Sequence, residues 1–248
     1  MLSELNKNRL SDWRAVLYTL IVYGIQYVFT AIIVLLGFAA SFLKIKWLNR
    51  FLFSLWAKGL FVLMGKRLRI IGKHNYVPER SYIIVINHAS IYDIPAVMSI
   101  VPLVSWMGRE YLTHIPVFGR LIRMNNYIAI EPGSHSRSRH SLRQAVVKAK
   151  KGLTVAIFPE GTRSKNGKLG VFKKGFIHIL KGTQLDVLPV TLNGFYSLKP
   201  KHRFTIMPKG RLEIVIHPPF KAGQLLQLSD REIITNVKNR IQSAYREQ

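Results

Sequence analysis

The chain has 248 residues, with 37 Lys and Arg against 12 Asp and Glu, and a formal net charge of +25 at pH 7. An excess of this size requires an acidic partner: nucleic acid, anionic lipid, or an acidic protein or phosphorylated substrate. The sequence contains no cysteine, which excludes disulfides, thiolate zinc sites and a cysteine nucleophile.

The first long apolar segment runs from Ala15 to Leu43, carries no charged residue, and is bracketed by Arg14 and Lys44. A bilayer core is crossed by about 20 apolar residues, so this segment is long enough to span it with some tilt. A cleaved signal peptide is disfavoured because its apolar region holds only about 7–15 residues. The sequence predicts a membrane helix and leaves open whether it spans the bilayer or dips into one leaflet.

The second segment, KIKWLNRFLFSLWAKGLFVLMGKR (44–67), is amphipathic. Arg50, Ser54 and Lys58 recur every four residues, whereas tryptophan, phenylalanine and leucine fill the remaining helix surface. A narrow polar stripe with tryptophan on the apolar body is typical of a helix that lies in the plane of the membrane interface. A second span interrupted by Lys58 and a helix packed over the following domain are the alternatives.

Residues 1–66 are therefore predicted to form a two-helix membrane anchor, followed by a soluble domain over residues 67–248. The positive charges after the apolar run, at Lys44, Lys46 and Arg50, favour the cytoplasmic side of an inner (cytoplasmic) membrane for that domain.

In the soluble part, short β-rich runs alternate with helical patterns, which predicts an α/β domain whose mixed, largely parallel sheet is flanked by helices. The predicted strands are residues 67–71, 82–86, 127–131, 153–158, 187–192 and 211–217, and the predicted helices are residues 94–101, 136–151, 171–182 and 230–245.

The stretch VINHASIYDIP (85–95) ends a buried strand with a histidine and places an acid five positions later. On one helix, His88 and Asp93 would lie about 140° apart around the axis. They can meet only if His88 ends the strand and Asp93 opens the next helix, and Pro95 favours a helix start close to Asp93. The residues alone leave two interpretations open: a catalytic pair, or a helix N-cap beside a turn histidine.

A second strand ends in IFPEGTRS (157–164), where Pro159 and Gly161 shape a turn that carries Glu160 and Arg163. A guanidinium matches phosphate oxygens in a bidentate manner, so this turn is a candidate phosphate-binding loop. A simple surface ion pair between Glu160 and Arg163 is the alternative.

Together these motifs resemble the 1-acyl-glycerol-3-phosphate acyltransferases and their glycerolipid acyltransferase relatives. The family pattern of Asn-His, four residues and Asp matches Asn87 to Asp93, and its Phe-Pro-Glu-Gly-Thr-Arg-Ser block is intact as Phe158 to Ser164. A later Pro-Val block matches Pro189-Val190, and a middle block is recognisable from Arg109 to Gly119. The resemblance covers about residues 66–220 and implies the glycerolipid acyltransferase fold.

The resemblance implies transfer of a fatty acyl group from an acyl thioester to the 2-hydroxyl of lysophosphatidic acid, which gives phosphatidic acid. It implies that His88 is the general base and that Asp93 orients it, with the backbone amides after His88 as candidate oxyanion donors. No covalent acyl-enzyme is expected, because the chain has neither a cysteine nor a G-x-S-x-G motif. No metal and no cofactor are implied.

The resemblance also implies a set of residues that bind the substrate phosphate and glycerol: Glu160, Gly161, Thr162, Arg163, Arg109 and Lys173. The supporting motif residues are Asn87, Phe158, Pro159, Ser164 and Pro189. The chain departs from the family at Ile130-Glu131-Pro132, where the family has Ile-Asp-Arg. The candidates to replace that arginine are Arg109, Arg137 and Arg139, and we favour Arg109 beside Arg163.

The expected partners are lysophosphatidic acid, an acyl thioester carried by coenzyme A or an acidic acyl carrier protein, and an anionic membrane surface. Nucleic acid is not expected, because the basic loops 133–151 and 163–174 contain a single aromatic residue, Phe172. The alternatives are acylation of glycerol 3-phosphate or another lysophospholipid, a membrane-tethered nucleic-acid-binding protein, and a hydrolase that uses His88 and Asp93.

Overall fold

The computed structural model describes residues 2–130, 135–207 and 209–246, with side chains described from Trp13 onward except at residues 135–138. The strands are β1 Leu68–Ile71, β2 Ile83–Ile86, β3 Ser105–Arg109, β4 Ile128–Ile130, β5 Val155–Ile157, β6 Val187–Asn193 and β7 Leu212–Ile216. The helices are α1 Leu2–Phe42, α2 Lys46–Leu63, α3 Asp93–Met98, α4 Phe118–Met124, α5 His135–Lys150, α6 Gly175–Thr183, α7 Phe195–Leu198, α8 Ala222–Leu225 and α9 Asp230–Gln242.

The strands form one sheet in the order β1-β7-β6-β2-β5-β3-β4. Neighbouring strands are parallel except for the antiparallel pair of β6 and β7, so β1 and β7 run against the other strands. The predicted mixed, largely parallel sheet flanked by helices is thereby confirmed. Because β2 to β6 share one direction, their carboxyl ends meet at a single edge, where open α/β sheets bind ligands.

Each face of the sheet is covered by its own layer of helices, and β2 shows how the sequence produces this. Its four residues are all buried, and successive side chains of a strand point to opposite faces. Ile83 and Val85 pack with α5, α6 and α9, whereas Ile84 and Ile86 pack with residues of α1, α2, α3 and α7. A strand buried on both faces therefore appears in the sequence as a continuous apolar run.

Every predicted strand and helix has a counterpart, usually shorter by a few residues at its ends. Helix α9 begins with a capping box: the Ser229 side chain accepts from the Glu232 backbone N–H, and the Glu232 side chain accepts from the Ser229 backbone N–H. Strand β3 and the short helices α4, α7 and α8 were not predicted from the sequence. Strand β3 lies between β5 and β4, so its main-chain partners come from distant parts of the chain.

Helix α1 lies along the domain for most of its length. The Thr19 hydroxyl accepts a hydrogen bond from the Ile206 backbone at 2.9 Å, and the Asn125 side chain donates to the Ser41 hydroxyl at 2.9 Å. These two contacts are about 33 Å apart along the helix at 1.5 Å per residue. An upright helix of this kind would carry the domain into the hydrocarbon, since a bilayer core is only about 30 Å thick.

A buried glutamine joins the two N-terminal helices to the sheet domain. The Gln26 side chain donates to the Leu60 carbonyl of α2 at 2.9 Å and accepts from the Tyr92 hydroxyl at 2.8 Å. Tyr92 immediately precedes α3 and is itself buried. The helices at the N-terminus are thus bonded to the segment that carries Asp93.

The outer surface of these two helices remains apolar and exposed. Among the described residues, one helix is long and apolar enough to cross a membrane, from Trp13 to Phe42. Helix α2 packs on α1 and α3 through its buried face, which matches the packed alternative, yet it exposes large side chains as well. The exposed apolar residues are Trp13, Leu17, Leu20, Ile21, Ile25, Val28, Ile32, Leu35 and Leu36 on α1 and Trp47, Phe51, Leu55 and Val62 on α2. A contiguous apolar surface of this kind marks a membrane or protein interface.

Candidate active site

Asn87 fixes the backbone at the end of β2. Its side chain is buried, accepts from the Leu192 backbone N–H at 2.8 Å and donates to the Leu192 carbonyl at 3.0 Å. The amide side chain therefore extends the pairing of β2 with β6 beyond the last strand residue. This holds the next residue, His88, in place at the carboxyl edge of the sheet.

His88 and Asp93 meet as the strand-turn-helix arrangement requires. The Asp93 side chain is fully buried, and its Oδ2 lies 2.8 Å from His88 Nδ1. The same oxygen accepts from the backbone N–H groups of Ala89 at 2.6 Å and Ser90 at 2.8 Å. Asp93 makes no N-cap hydrogen bond to its own helix, so its hydrogen bonds all go back to the turn that carries His88.

These hydrogen bonds determine which nitrogen of His88 can act. An ionised carboxylate only accepts, so Nδ1 carries the proton and Nε2 is left with its lone pair. Within the described part of the chain, Nε2 has no hydrogen-bond partner, and the His88 side chain is 16% exposed. The amides of Ala89 and Ser90 are already bonded to Asp93, so the expected oxyanion role of the turn amides is not supported.

An aromatic stack orients the His88 ring. Phe158 lies over the imidazole with ring centroids 3.9 Å apart and planes 13° apart, and Trp106 lies 5.3 Å behind Phe158 at 19°. Asp93 fixes one edge of the imidazole, and Phe158 fixes its plane. Trp106 belongs to the missed strand β3, and no local pattern in the sequence points to its contact with Phe158.

Glu160 supports the same turn from the other side. One carboxylate oxygen accepts from the His88 backbone N–H at 2.7 Å, and the other accepts from the Gly170 backbone N–H at 2.8 Å. Burial raises the pKa of Glu160, and the two N–H bonds oppose that rise. Among the described side chains, Glu160 forms no ion pair with Arg163. Its geometry therefore indicates that Glu160 supports the turn of His88 and the loop of Gly170.

The loop after β5 brings Arg163 beside His88. The next residue, Ser164, donates its backbone N–H to the His88 carbonyl at 2.7 Å, and Arg163 itself is half-buried. Lys173 is exposed, and its ammonium lies 3.0 Å from the place where a Cβ on Gly161 would sit. Gly161 has φ +71°, a left-handed conformation that glycine adopts without a steric cost.

The remaining predicted residues lie at the same edge or in the sheet. Arg109 ends β3 and is exposed, and no hydrogen bond or ion pair among the described side chains fixes its guanidinium. Thr162 is exposed on the loop after β5, whereas Pro189 is buried within β6 and its carbonyl accepts from the His217 backbone at 3.1 Å. The Lys173 backbone likewise donates to the Pro159 carbonyl at 2.9 Å and closes the motif loop.

The proposed replacement of the family arginine is only partly within the described structure. Glu131, Pro132 and the side chain of Arg137 lie outside the described residues. Arg139 is exposed on α5. Of the candidates, Arg109 is the described residue that ends a strand at the carboxyl edge.

Two further observations complete the site. Lys199, which the sequence motifs do not include, places its carbonyl 2.8 Å from the Ser90 hydroxyl, although 109 positions separate the two residues.

Within the described ranges, no cluster of three or more histidine or acidic residues has the arrangement of a metal site.

Residues 67–193 match the model of the family described as Acyltransferase. The chain is 37% identical over 151 residues to the 1-acyl-sn-glycerol-3-phosphate acyltransferase of Cocos nucifera, which covers 60% of this chain and 48% of the relative. It is 27% identical over 208 residues to the chloroplastic 1-acyl-sn-glycerol-3-phosphate acyltransferase LPAT1 of Arabidopsis thaliana, which covers 82% of this chain and 58% of the relative. The chain thus spans about half the length of these curated relatives.

A solved structure is similar over nearly the whole chain. It is the crystal structure of the 1-acyl-sn-glycerophosphate (LPA) acyltransferase PlsC from Thermotoga maritima, with a TM-score of 0.80 and 30% sequence identity. The alignment covers 94% of this chain and 96% of that chain, so it includes the N-terminal helices as well as the sheet domain.

Proposed function

Because this chain belongs to the acyltransferase family, we propose that it transfers a fatty acyl group from an acyl thioester to the free 2-hydroxyl of lysophosphatidic acid, which gives phosphatidic acid. The observation that carries the proposal is the His88–Asp93 pair, with Nε2 of His88 unpartnered within the described residues and Arg163 on the adjoining loop. The names of the similar proteins point to the same substrate class.

In the proposed reaction, His88 Nε2 removes the proton of the 2-hydroxyl as that oxygen attacks the thioester carbonyl carbon. The carbon–sulfur bond of the tetrahedral intermediate then breaks, and the departing thiolate takes the proton from the imidazolium. Imidazole both accepts and donates a proton near neutral pH, which suits it to both transfers. Asp93 holds the productive tautomer and stabilises the imidazolium that forms.

Direct transfer, without a covalent acyl-enzyme, fits the surroundings of His88. Ser90 is the hydroxyl residue closest to His88 in the chain, and it is fully buried. Its Oγ donates to the Lys199 carbonyl at 2.8 Å rather than to His88. A serine held in this way is not activated by the histidine, because an activated nucleophile must be hydrogen-bonded to its base.

We propose that α1 and α2 lie within one leaflet and hold the domain against the cytoplasmic face of the membrane. The contacts of Thr19 and Ser41 with the sheet domain favour a helix that lies along the bilayer surface over an upright span. A site at this surface takes a lysolipid without drawing its acyl chain into water. The net charge of +25 favours anionic lipid and an acidic carrier protein as the acyl donor.

Removing the apolar side chains that α2 exposes is expected to weaken membrane binding. Trp47 and Phe51 are 72% and 57% exposed, and each is worth about 1.5–3 kcal/mol when it is buried in an apolar medium. The double variant Trp47→Ser, Phe51→Ser should therefore lower the affinity for anionic vesicles by about tenfold or more, measured by cosedimentation. Val147→Ser, which removes an exposed apolar residue of α5, is the matched control. Equal affinities for the double variant and the wild type would contradict the proposed insertion of α2 into the leaflet.

The proposed reaction is tested with purified protein in anionic vesicles that contain radiolabelled lysophosphatidic acid, supplied with acyl coenzyme A or acyl carrier protein thioester. Labelled phosphatidic acid is the expected product. Acylation of glycerol 3-phosphate but not of lysophosphatidic acid would assign glycerol 3-phosphate as the acceptor in place of lysophosphatidic acid. The absence of product with every acceptor would refute the proposal.

A further inference from the structure

A group of basic side chains lies on the segment that follows β6, close to the turn of His88. Lys199 and Arg203 are both half-buried there, but their surroundings differ. The Arg203 guanidinium donates to the carbonyls of Leu198 at 3.0 Å and Thr205 at 3.1 Å, so it ties its own loop together. The Lys199 ammonium has one long contact, 3.3 Å to the Pro200 carbonyl, and no acidic partner among the described side chains.

Two hydrogen bonds place the segment that carries Lys199 beside the turn of His88 and the loop of Arg163. The Ser90 hydroxyl donates to the Lys199 carbonyl at 2.8 Å, two residues after His88. The Tyr196 hydroxyl of α7 donates to the Lys165 carbonyl at 2.9 Å, two residues after Arg163. The segment after β6 is therefore bonded both to the turn that carries the base and to the loop that carries Arg163.

The positive charges around Lys199 favour the binding of an anion. Burial lowers the pKa of Lys199, and the neighbouring cations Arg163 and Arg203 lower it further. A half-buried ammonium among like charges is unfavourable unless an opposite charge binds there. A phosphate group offers up to two negative charges and several acceptor oxygens to such a pair of cations.

We propose that Lys199 and Arg163 together bind the phosphate of the acceptor lipid. The inference rests on the proposed function for the identity of the acceptor. Lys199 lies outside the sequence motifs, so the motifs alone do not predict this contact. Arg109 and Lys173 are more exposed than Lys199, and water screens exposed cations more strongly.

The test compares Lys199→Met and Lys199→Arg with Lys201→Met, which removes an exposed lysine of the same segment. Loss of one charged hydrogen-bond partner of a phosphate is expected to lower kcat/KM for lysophosphatidic acid by about 10- to 100-fold, mainly through KM. Lys199→Arg should recover most of the loss, and Lys201→Met should behave as the wild type.

A binding measurement separates this inference from the proposed reaction. Glycerol 3-phosphate should raise the thermal unfolding temperature of the wild-type protein and of Lys201→Met, and this rise should be lost in Lys199→Met. An unchanged rise and an unchanged KM in Lys199→Met would overturn the inference even if the wild type acylates lysophosphatidic acid. A uniform fall in kcat that Lys199→Arg does not recover, with a lower unfolding temperature, would assign Lys199 a structural role and also overturn it. If the wild type does not acylate lysophosphatidic acid, the proposed function fails, and the glycerol 3-phosphate measurement still tests Lys199.

Discussion

Replacing His88 with alanine is expected to lower kcat for acyl transfer by about 100- to 10,000-fold, because the variant removes the general base. The backbone of the turn should keep its shape, since Asn87, Glu160 and Asp93 bond to main-chain groups that the substitution leaves in place. Membrane binding should therefore be retained. The measurement is formation of labelled phosphatidic acid in vesicles under single-turnover conditions.

The matched control for this variant is His178→Ala, which removes an exposed histidine of α6. It should keep wild-type activity. Activity of His88→Ala within about tenfold of the wild type would show that another group removes the hydroxyl proton. Loss of vesicle binding together with activity would instead indicate that the variant had unfolded.

Replacing Asp93 with asparagine is expected to lower kcat by about 100- to 10,000-fold with little change in KM for the acceptor. The asparagine oxygen can still accept from the backbone of Ala89 and Ser90, which preserves the turn. Its neutral amide carries no negative charge with which to stabilise the imidazolium of His88, so proton transfer loses its electrostatic support. Steady-state kinetics with lysophosphatidic acid measures the effect. Circular dichroism checks that the variant and the wild type are equally folded.

Asp230→Asn is the control, because that aspartate forms surface ion pairs with Lys174 and Lys181 and makes no contact with His88. A kcat of Asp93→Asn equal to that of the wild type would remove Asp93 from the mechanism. A rise in KM without a fall in kcat would indicate that the substitution had disturbed binding rather than proton transfer.

The meeting of His88 and Asp93 could be predicted because it depends on local geometry. A buried β-branched strand, a short turn and a proline near the helix start leave few ways to arrange five residues. Strand β3 could not be found in the same way. Its sequence SWMGR includes glycine and lacks the β-branched residues that favour strands, and its pairing with β4 and β5 comes from tertiary contacts.

The residues that the motifs left out are those that reach the site from far along the chain. Trp106 contacts Phe158 through a strand that has no local signature, and Lys199 meets Ser90 across 109 positions. A motif residue can also make hydrogen bonds that its motif does not predict. Glu160 was expected to bind substrate or Arg163, yet both of its oxygens bond to backbone N–H groups.

Helix α1 illustrates a second limit of the sequence. Its apolar length predicted a membrane helix, but hydropathy does not register where Thr19, Gln26 and Ser41 lie within it. In the structure these residues form the buried polar side that faces the domain or α2. Uncharged polar residues recurring on one side of an apolar helix therefore carried information about docking that hydropathy alone does not contain.

The docking of α1 along the domain has a consequence for the lipid bilayer itself. Under the proposed function, with α1 and α2 in one leaflet, the protein would exchange lipids with that leaflet alone. Each reaction cycle would then leave a two-chain product where the one-chain acceptor had been. The number of acyl chains then grows on one side of the bilayer while the opposite side stays unchanged. Lateral pressure would accumulate as the first leaflet crowds, and the membrane would bend unless lipids cross to the other side. The area balance of a membrane that grows in this way must therefore be restored by transbilayer lipid movement that the protein does not itself perform.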